Sequence, residues 1–183
     1  MNTQLPRWLV TIMTLVLASV ALLVFFNYDR MHIYGTYLRE KSPEITLRLI
    51  DLSSEMNEAQ LRKHFEGVSL NCISQSFESN GLGDRVCYAS IDKSDGDAAL
   101  TLAAFFRKDK LSNVIVHVPW WIHQSRIARL TAQFGLPSTT GKVSRFGGPV
   151  LRWKLSNGYV ETNRDRSFNL FEWNLIMWTS TKG

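Results

Sequence analysis

From Trp8 to Phe26 the chain reads WLVTIMTLVLASVALLVFF, nineteen residues without a charge. At about 1.5 Å rise per residue a helix of this length spans roughly 28 Å, close to the hydrocarbon thickness of a bilayer. Its polar members, Thr11, Thr14 and Ser19, can return their hydroxyls to the helix backbone, which lowers their cost in lipid. Trp8 and Tyr28 suit the two interfaces, and Arg7 on one side and Asp29 with Arg30 on the other stop the run. The segment is therefore expected to be a single transmembrane anchor at 8–26. A short basic tail (1–7) precedes it, and a juxtamembrane stem (27–44) and a soluble domain (45–183) follow.

A cleaved signal peptide competes with this reading but needs small residues at its cleavage site, and the run ends in Val24-Phe-Phe-Asn-Tyr28. No lipobox cysteine follows, which excludes a lipoprotein. A core helix would carry a polar face, and this one has none. Orientation stays open on this segment alone. The positive-inside count, with Arg30, Arg39 and Lys41 after the run and Arg7 before it, points the domain to the cytoplasm. A short basic start is also the usual form of a signal anchor whose C-terminal part is exported.

The cysteines bear on that choice. Cys72 and Cys87 lie in two strand-like runs separated by the turn-rich Glu78-Ser-Asn-Gly-Leu-Gly-Asp84. Val68, Leu70 and Cys72 alternate onto one face, as do Cys87, Ala89 and Ile91, so the sulfurs fall near one another across a hairpin. A bridge closing such a loop contributes roughly 3 kcal/mol, and it persists only in an oxidising compartment. The alternative is two buried free thiols in a cytosolic domain. The disulfide is the favoured reading, and with it an extracytoplasmic domain on an inner (plasma) membrane anchor.

The remaining punctuation predicts an α+β domain. Glu44–Leu49 alternates as a short strand. Asn57 and Gln60 form a capping-box pattern, Met56 and Leu61 a hydrophobic staple, and Gly67 a left-handed stop, which together mark a short helix. The cysteine hairpin, a strand over 98–106 and another over 111–118 then form a meander, with 92–97 a loop. A second helix over Ser125–Phe134, striped by Ile127, Leu130 and Phe134, stops at Gly135 and Pro137. A polar connection (138–148) leads to strands 151–155 and 159–162, joined by Ser156-Asn-Gly158. This register sets Lys154 opposite Glu161 and Leu155 opposite Val160. A long strand, 168–179, follows. Two diverged helix-plus-meander units, about 53–118 and 119–183, are the expected plan.

A helix ending in Phe134-Gly-Leu-Pro137, a strand with Trp153, a hairpin and a Trp-bearing last strand together resemble the SmpA/BamE-type, β-lactamase-inhibitor-like fold. The resemblance covers residues 57–179 as pattern. It implies units that occur singly or in tandem and that bind other proteins of the cell envelope. The chain departs from that group by its helical anchor and its missing lipobox cysteine, so an outer-membrane location is not implied, and no functional residue carries over.

Chemistry is sparse. The net charge of +5 comes from scattered Lys and Arg with no like-charge run, which speaks against nucleic-acid binding. Two cysteines and four histidines leave little for a metal cage, and His117 and His123 lack metal-ligand spacing. Asp92, Asp95 and Asp97 around Gly96 lack the EF-hand order and read as a turn. No nucleophile elbow, phosphate loop or dinucleotide fingerprint is present, so neither an enzyme nor a cofactor is expected.

Aromatic residues are the more informative feature. In the last strand Phe171, Trp173, Leu175 and Met177 share one face, expected to be the core. Phe168, Leu170, Ile176 and Trp178 share the other, either covered by helices or part of a partner surface. Trp120, Trp121 and Trp178 are thus the candidate partner-binding residues. The function expected is a membrane-tethered interaction module, a subunit or accessory factor of an envelope complex. Two alternatives stand beside it: a small anchored enzyme or inhibitor with a non-local site around His117, His123 and Arg145, and a structural spacer.

Overall fold

The computed structural model describes residues 6–39, 41–76, 81–140, 148–166, 169 and 171–181. The chain divides into two compact units, Met1–Glu40 and Lys41–Gly183.

The first unit holds two helices, α1 (Arg7–Phe26) and α2 (Tyr28–Arg39). No residue of α1 is buried, and it is the one helix among the described residues long and apolar enough to cross a membrane. Thr11, Thr14 and Ser19 each donate a hydroxyl to the carbonyl four residues earlier (2.8–3.0 Å), so these three hydroxyls are satisfied within the helix. At Asn27 the backbone leaves helical geometry, its N–H bonding Val24 and its side chain the Leu23 carbonyl.

The second unit is α+β. Its strands are β1 (Glu44–Ile45), β2 (Asn71–Ser74), β3 (Arg85–Ser90), β4 (Lys93–Ser94), β5 (Asp97–Ala98), β6 (Thr101–Arg107), β7 (Lys110–Val118), β8 (Ser138–Thr140), β9 (Val150–Lys154), β10 (Gly158–Asn163) and β11 (Asn174–Ser180). Helix α3 (Glu58–His64) precedes β2, and α4 (His123–Phe134) precedes β8. Eight strands form one antiparallel sheet in the order β2-β3-β6-β7-β11-β10-β9-β8. Strands β2 to β7 of this sheet thus run from one edge to the centre, β8 to β11 do the same from the opposite edge, and β7 and β11 pair at the middle. A small second sheet joins β1 parallel to β4 and β4 antiparallel to β5.

Alternation decides what each strand buries. One face of the large sheet carries Cys87, Ala104, Val116, Ile176, Trp178 and Trp153 into the main core, against Leu61 and Phe65 of the α3 region and Leu130 of α4. Ile45, Leu47 and Leu49 alternate into the same core. The opposite face holds a smaller cluster of Ile115, Leu175 and Met177, packed with Leu82 and Phe105.

Helix α3 carries the capping box its sequence spells: the Asn57 side chain accepts from the Gln60 N–H and Gln60 reaches back to the Asn57 N–H, each at 3.0 Å. Gly67, at φ 86°, turns the chain out of the helix in the left-handed region.

Several local expectations change. The β9–β10 turn holds two residues, Ser156 and Asn157, so Glu161 faces Arg152 and Val160 faces Trp153; the register shifts from the expected Lys154–Glu161 pairing. Close packing leaves no room for a side chain at Gly158, where a Cβ would lie 2.3 Å from the Thr179 carbonyl oxygen. Arg152 reaches Glu161 at 2.5 Å and lies over the Tyr159 ring at 4.3 Å. The expected loop at 92–97 instead holds β4 and the start of β5 around a turn with Asp95 at φ 52° and Gly96 at φ 82°. The connection after α4 contributes β8 as an edge strand, while 141–147 lie outside the described residues. The last strand begins at Asn174, and Phe168 and Leu170 lie outside the described residues; Leu175 and Met177 are buried as expected, in the smaller cluster, while Ile176 and Trp178 enter the main core under the helices rather than a partner surface.

Candidate functional site

The strand-to-helix corner after β7 presents the exposed aromatic surface. Pro119 lacks an N–H and ends the ladder. Trp120–Ile122 then make one 3₁₀ turn that leads into α4. Ile122 packs on the core, and the Ser125 hydroxyl donates to its carbonyl at 2.8 Å. Trp120 is half-buried with the Arg166 guanidinium 3.8 Å from its ring centre, a cation–π contact that fixes the indole. Trp121 is 54% exposed. Trp178 is 0% exposed in the main core and presents no surface.

The two histidines have separate surroundings. His117 is half-buried on β7, its Nδ1 2.8 Å from the Thr101 hydroxyl, and burial lowers its pKa from the ordinary value. His123 is buried at the start of α4. Burial chiefly lowers its pKa, and the Arg166 charge adds to this, while a hydrogen bond to the Arg164 backbone and the Asp165 charge oppose it. Arg145, the third residue of the enzyme alternative, lies outside the described residues.

Cys72 and Cys87 face each other across β2–β3 with their Cα atoms 4.0 Å apart, and they form a disulfide. Arg62 of α3 places Nη2 3.1 Å from the Cys72 sulfur and 2.8 Å from Glu58, and Arg85 bonds the other Glu58 oxygen at 2.7 Å. The Arg62 hydrogen bond, foremost, and Arg85 hold the Glu58 pKa below the ordinary carboxylate value. Glu58 and the two sulfurs lie within 4.8 Å of one another, but both thiols are consumed by the bridge, so this grouping is not a ligand set.

The turn at Asp95 builds a charged node that the sequence pattern does not announce. Arg126 of α4, with its side chain 4% exposed, donates to Asp95 Oδ2 at 3.1 Å and to the Ser94 carbonyl and hydroxyl at 3.0 and 2.8 Å. Asp95 Oδ1 accepts the Leu47 N–H at 2.8 Å, and Arg129 bonds the Asp95 carbonyl and Asp97. Burial lowers the Arg126 pKa, and Asp95 and then Asp97 oppose that. Beside the node, between residues 46–51 and α4, lies a cavity of about 250 Å³. The one local signal is Arg126 and Leu130 four apart on one helical face. The partners of Arg126 lie about thirty residues upstream, where no local pattern connects them.

No protein-family model, no curated protein and no solved structure matches this chain.

Proposed function

We propose that the chain is a membrane-tethered, extracytoplasmic protein-interaction module, a subunit or accessory factor of an envelope complex anchored in the inner (plasma) membrane. The observation that carries this reading is Trp121, 54% exposed on an elbow whose neighbours are fixed. Pro119 and His123 are buried, and Trp120 is held under Arg166. An exposed indole set among buried neighbours is the kind of residue on which binding energy concentrates. The unburied apolar helix α1 supports a single-pass anchor. The Cys72–Cys87 bridge supports an oxidising compartment. In this reading the two helix-plus-four-strand halves, about 53–118 and 119–183, are diverged copies joined through β7 and β11. That plan accords with the SmpA/BamE-type resemblance.

Two measurements test the proposal. A membrane-impermeant maleimide applied to intact cells should label Cys72 and Cys87 only after mild reduction; labelling that needs lysis but no reduction places the domain in the cytoplasm. Capture from mild detergent should retrieve a stoichiometric membrane partner that is lost with Trp121→Ala, a surface change expected to leave stability within about 0.5 kcal/mol. A clean monomer, or a partner indifferent to Trp121→Ala, rejects the corner as the docking surface.

A further inference from the structure

His123 sits where a neutral imidazole is stable and an imidazolium is not. It is the first residue of α4, at the positive end of the helix dipole, and it is 1% exposed. Its ring hydrogen-bonds the Arg164 backbone, whereas Nε2 is buried with no hydrogen-bond partner among the described residues. A proton added to Nε2 therefore makes a buried donor with nothing to receive it. The charges bearing on the ring are Arg166, which opposes that proton, and Asp165, which favours it but is paired with Arg164 at 2.8 Å. Arg126, the next cation along α4, is committed to Ser94 and Asp95.

Arg166 is also the group that lies over Trp120, its guanidinium 3.8 Å from the ring centre. The same cation thus disfavours the His123 proton and covers the indole next to Trp121. The backbone nearby is tied more firmly: the Arg164 N–H donates to the Pro149 carbonyl at 2.9 Å, and the hydrogen bond between Arg164 and His123 favours the protonated ring. The Arg166 side chain is the contact left to give way. We infer that protonation of His123 releases Arg166 from Trp120, so that acid exposes a second indole beside Trp121 on the docking corner. Once the guanidinium is in water its repulsion of the ring is screened. Proton binding and release are linked, so a partner that takes the freed indole raises the proton affinity of His123 and binds more tightly in acid. As regulation of the corner this rests on the docking reading, but the device is testable without a partner.

The test is fluorine NMR of the full chain in lipid nanodiscs, labelled with fluorotryptophan, its lines assigned by single Trp→Phe changes. Between about pH 8 and about pH 5 the Trp120 line should titrate with a midpoint below 6.5, the ordinary His value. Its full shift should match the one that Arg166→Met produces at about pH 8, where the guanidinium is absent and His123 is neutral. The lines of Trp153 and Trp178, both in the core, should stay in place over the same range. His123→Gln keeps an N–H for the Arg164 backbone but has no proton to gain, so its Trp120 line should not titrate. His117→Gln should leave the titration intact. A Trp120 line that is flat in the unaltered protein, that still titrates in His123→Gln, or that moves only together with the core lines overturns the proposal. Partner capture with Trp121→Ala is read separately, so failure of the docking reading and failure of the switch are distinguishable.

Discussion

Helices α3 and α4 each precede one four-stranded half of the sheet, and each lays a leucine, Leu61 or Leu130, into the same core. They are secured by different means. Helix α3 has seven residues, a reciprocal capping box, and an ion pair with Arg62 four residues from Glu58. The disulfide lies directly against it through Arg62. Helix α4 has twelve residues and no side-chain N-cap. It is secured by buried polar groups, His123 and Arg126, that reach the 164–166 loop and the 92–97 turn. Local signals suffice for a helix at the sheet margin beside a covalent brace. The other helix relies on contacts made only after the chain has folded.

Removing one partner of the buried node is the most severe way to probe that difference. Arg126→Ala is expected to cost about 3–5 kcal/mol, because it strands Asp95 and the Ser94 acceptors. Chemical unfolding of the full chain in mild detergent, followed by tryptophan fluorescence, measures it. A loss below about 1 kcal/mol would show that α4 does not depend on the node. The covalent brace of the α3 half comes next. Cys72→Ala with Cys87→Ala should cost about 3 kcal/mol for the 15-residue separation. The same loss should follow reduction of the unaltered protein.

At the far side of the sheet Gly158→Ala is expected to cost about 1–3 kcal/mol, since the new Cβ falls 2.3 Å from the Thr179 carbonyl oxygen and 3.0 Å from the Trp178 ring nitrogen. Asn57→Ala should cost about 1 kcal/mol by opening the capping box, and a null result would move the credit for α3 from its cap to its packing. The smallest effect should come with pH. Folding lowers the pKa of both His117 and His123 below their ordinary value of 6.5. The unfolded chain therefore binds more protons as pH falls below that value, and stability is full above it and declines toward the lowered folded pKa values. An unfolding midpoint that declines from pH 7 to pH 5, and declines less in His117→Gln with His123→Gln, is the expected outcome.

Legibility in the sequence follows the range of the forces involved. The capping box at Asn57–Gln60, the stripe of Ile127, Leu130 and Phe134, and the facing Cys72 and Cys87 are near-neighbour patterns, and each is present in the structure. The β9–β10 register is not legible in this way because Ser156-Asn157-Gly158 offers turns of two lengths, and the structure adopts the shorter one, with Glu161 facing Arg152. The faces of β11 are ambiguous because both carry large apolar groups, so alternation alone does not say which one the helices cover. At the corner, local sequence places Trp120 and Trp121 together; only folding brings Arg166 over one of them and leaves the other exposed.

By itself the sequence determined an uninterrupted apolar helix, an α+β order of elements and a hairpin able to close a disulfide. These follow from periodicity and backbone preference over a few residues. The tertiary structure alone decided that Arg126 is buried beside a turn about thirty residues away, that Trp178 is core and Trp121 surface, and that residues 46–51 wall a cavity. Each of these depends on burial and charge pairing between distant segments, which exist only once the sheet has brought those segments together.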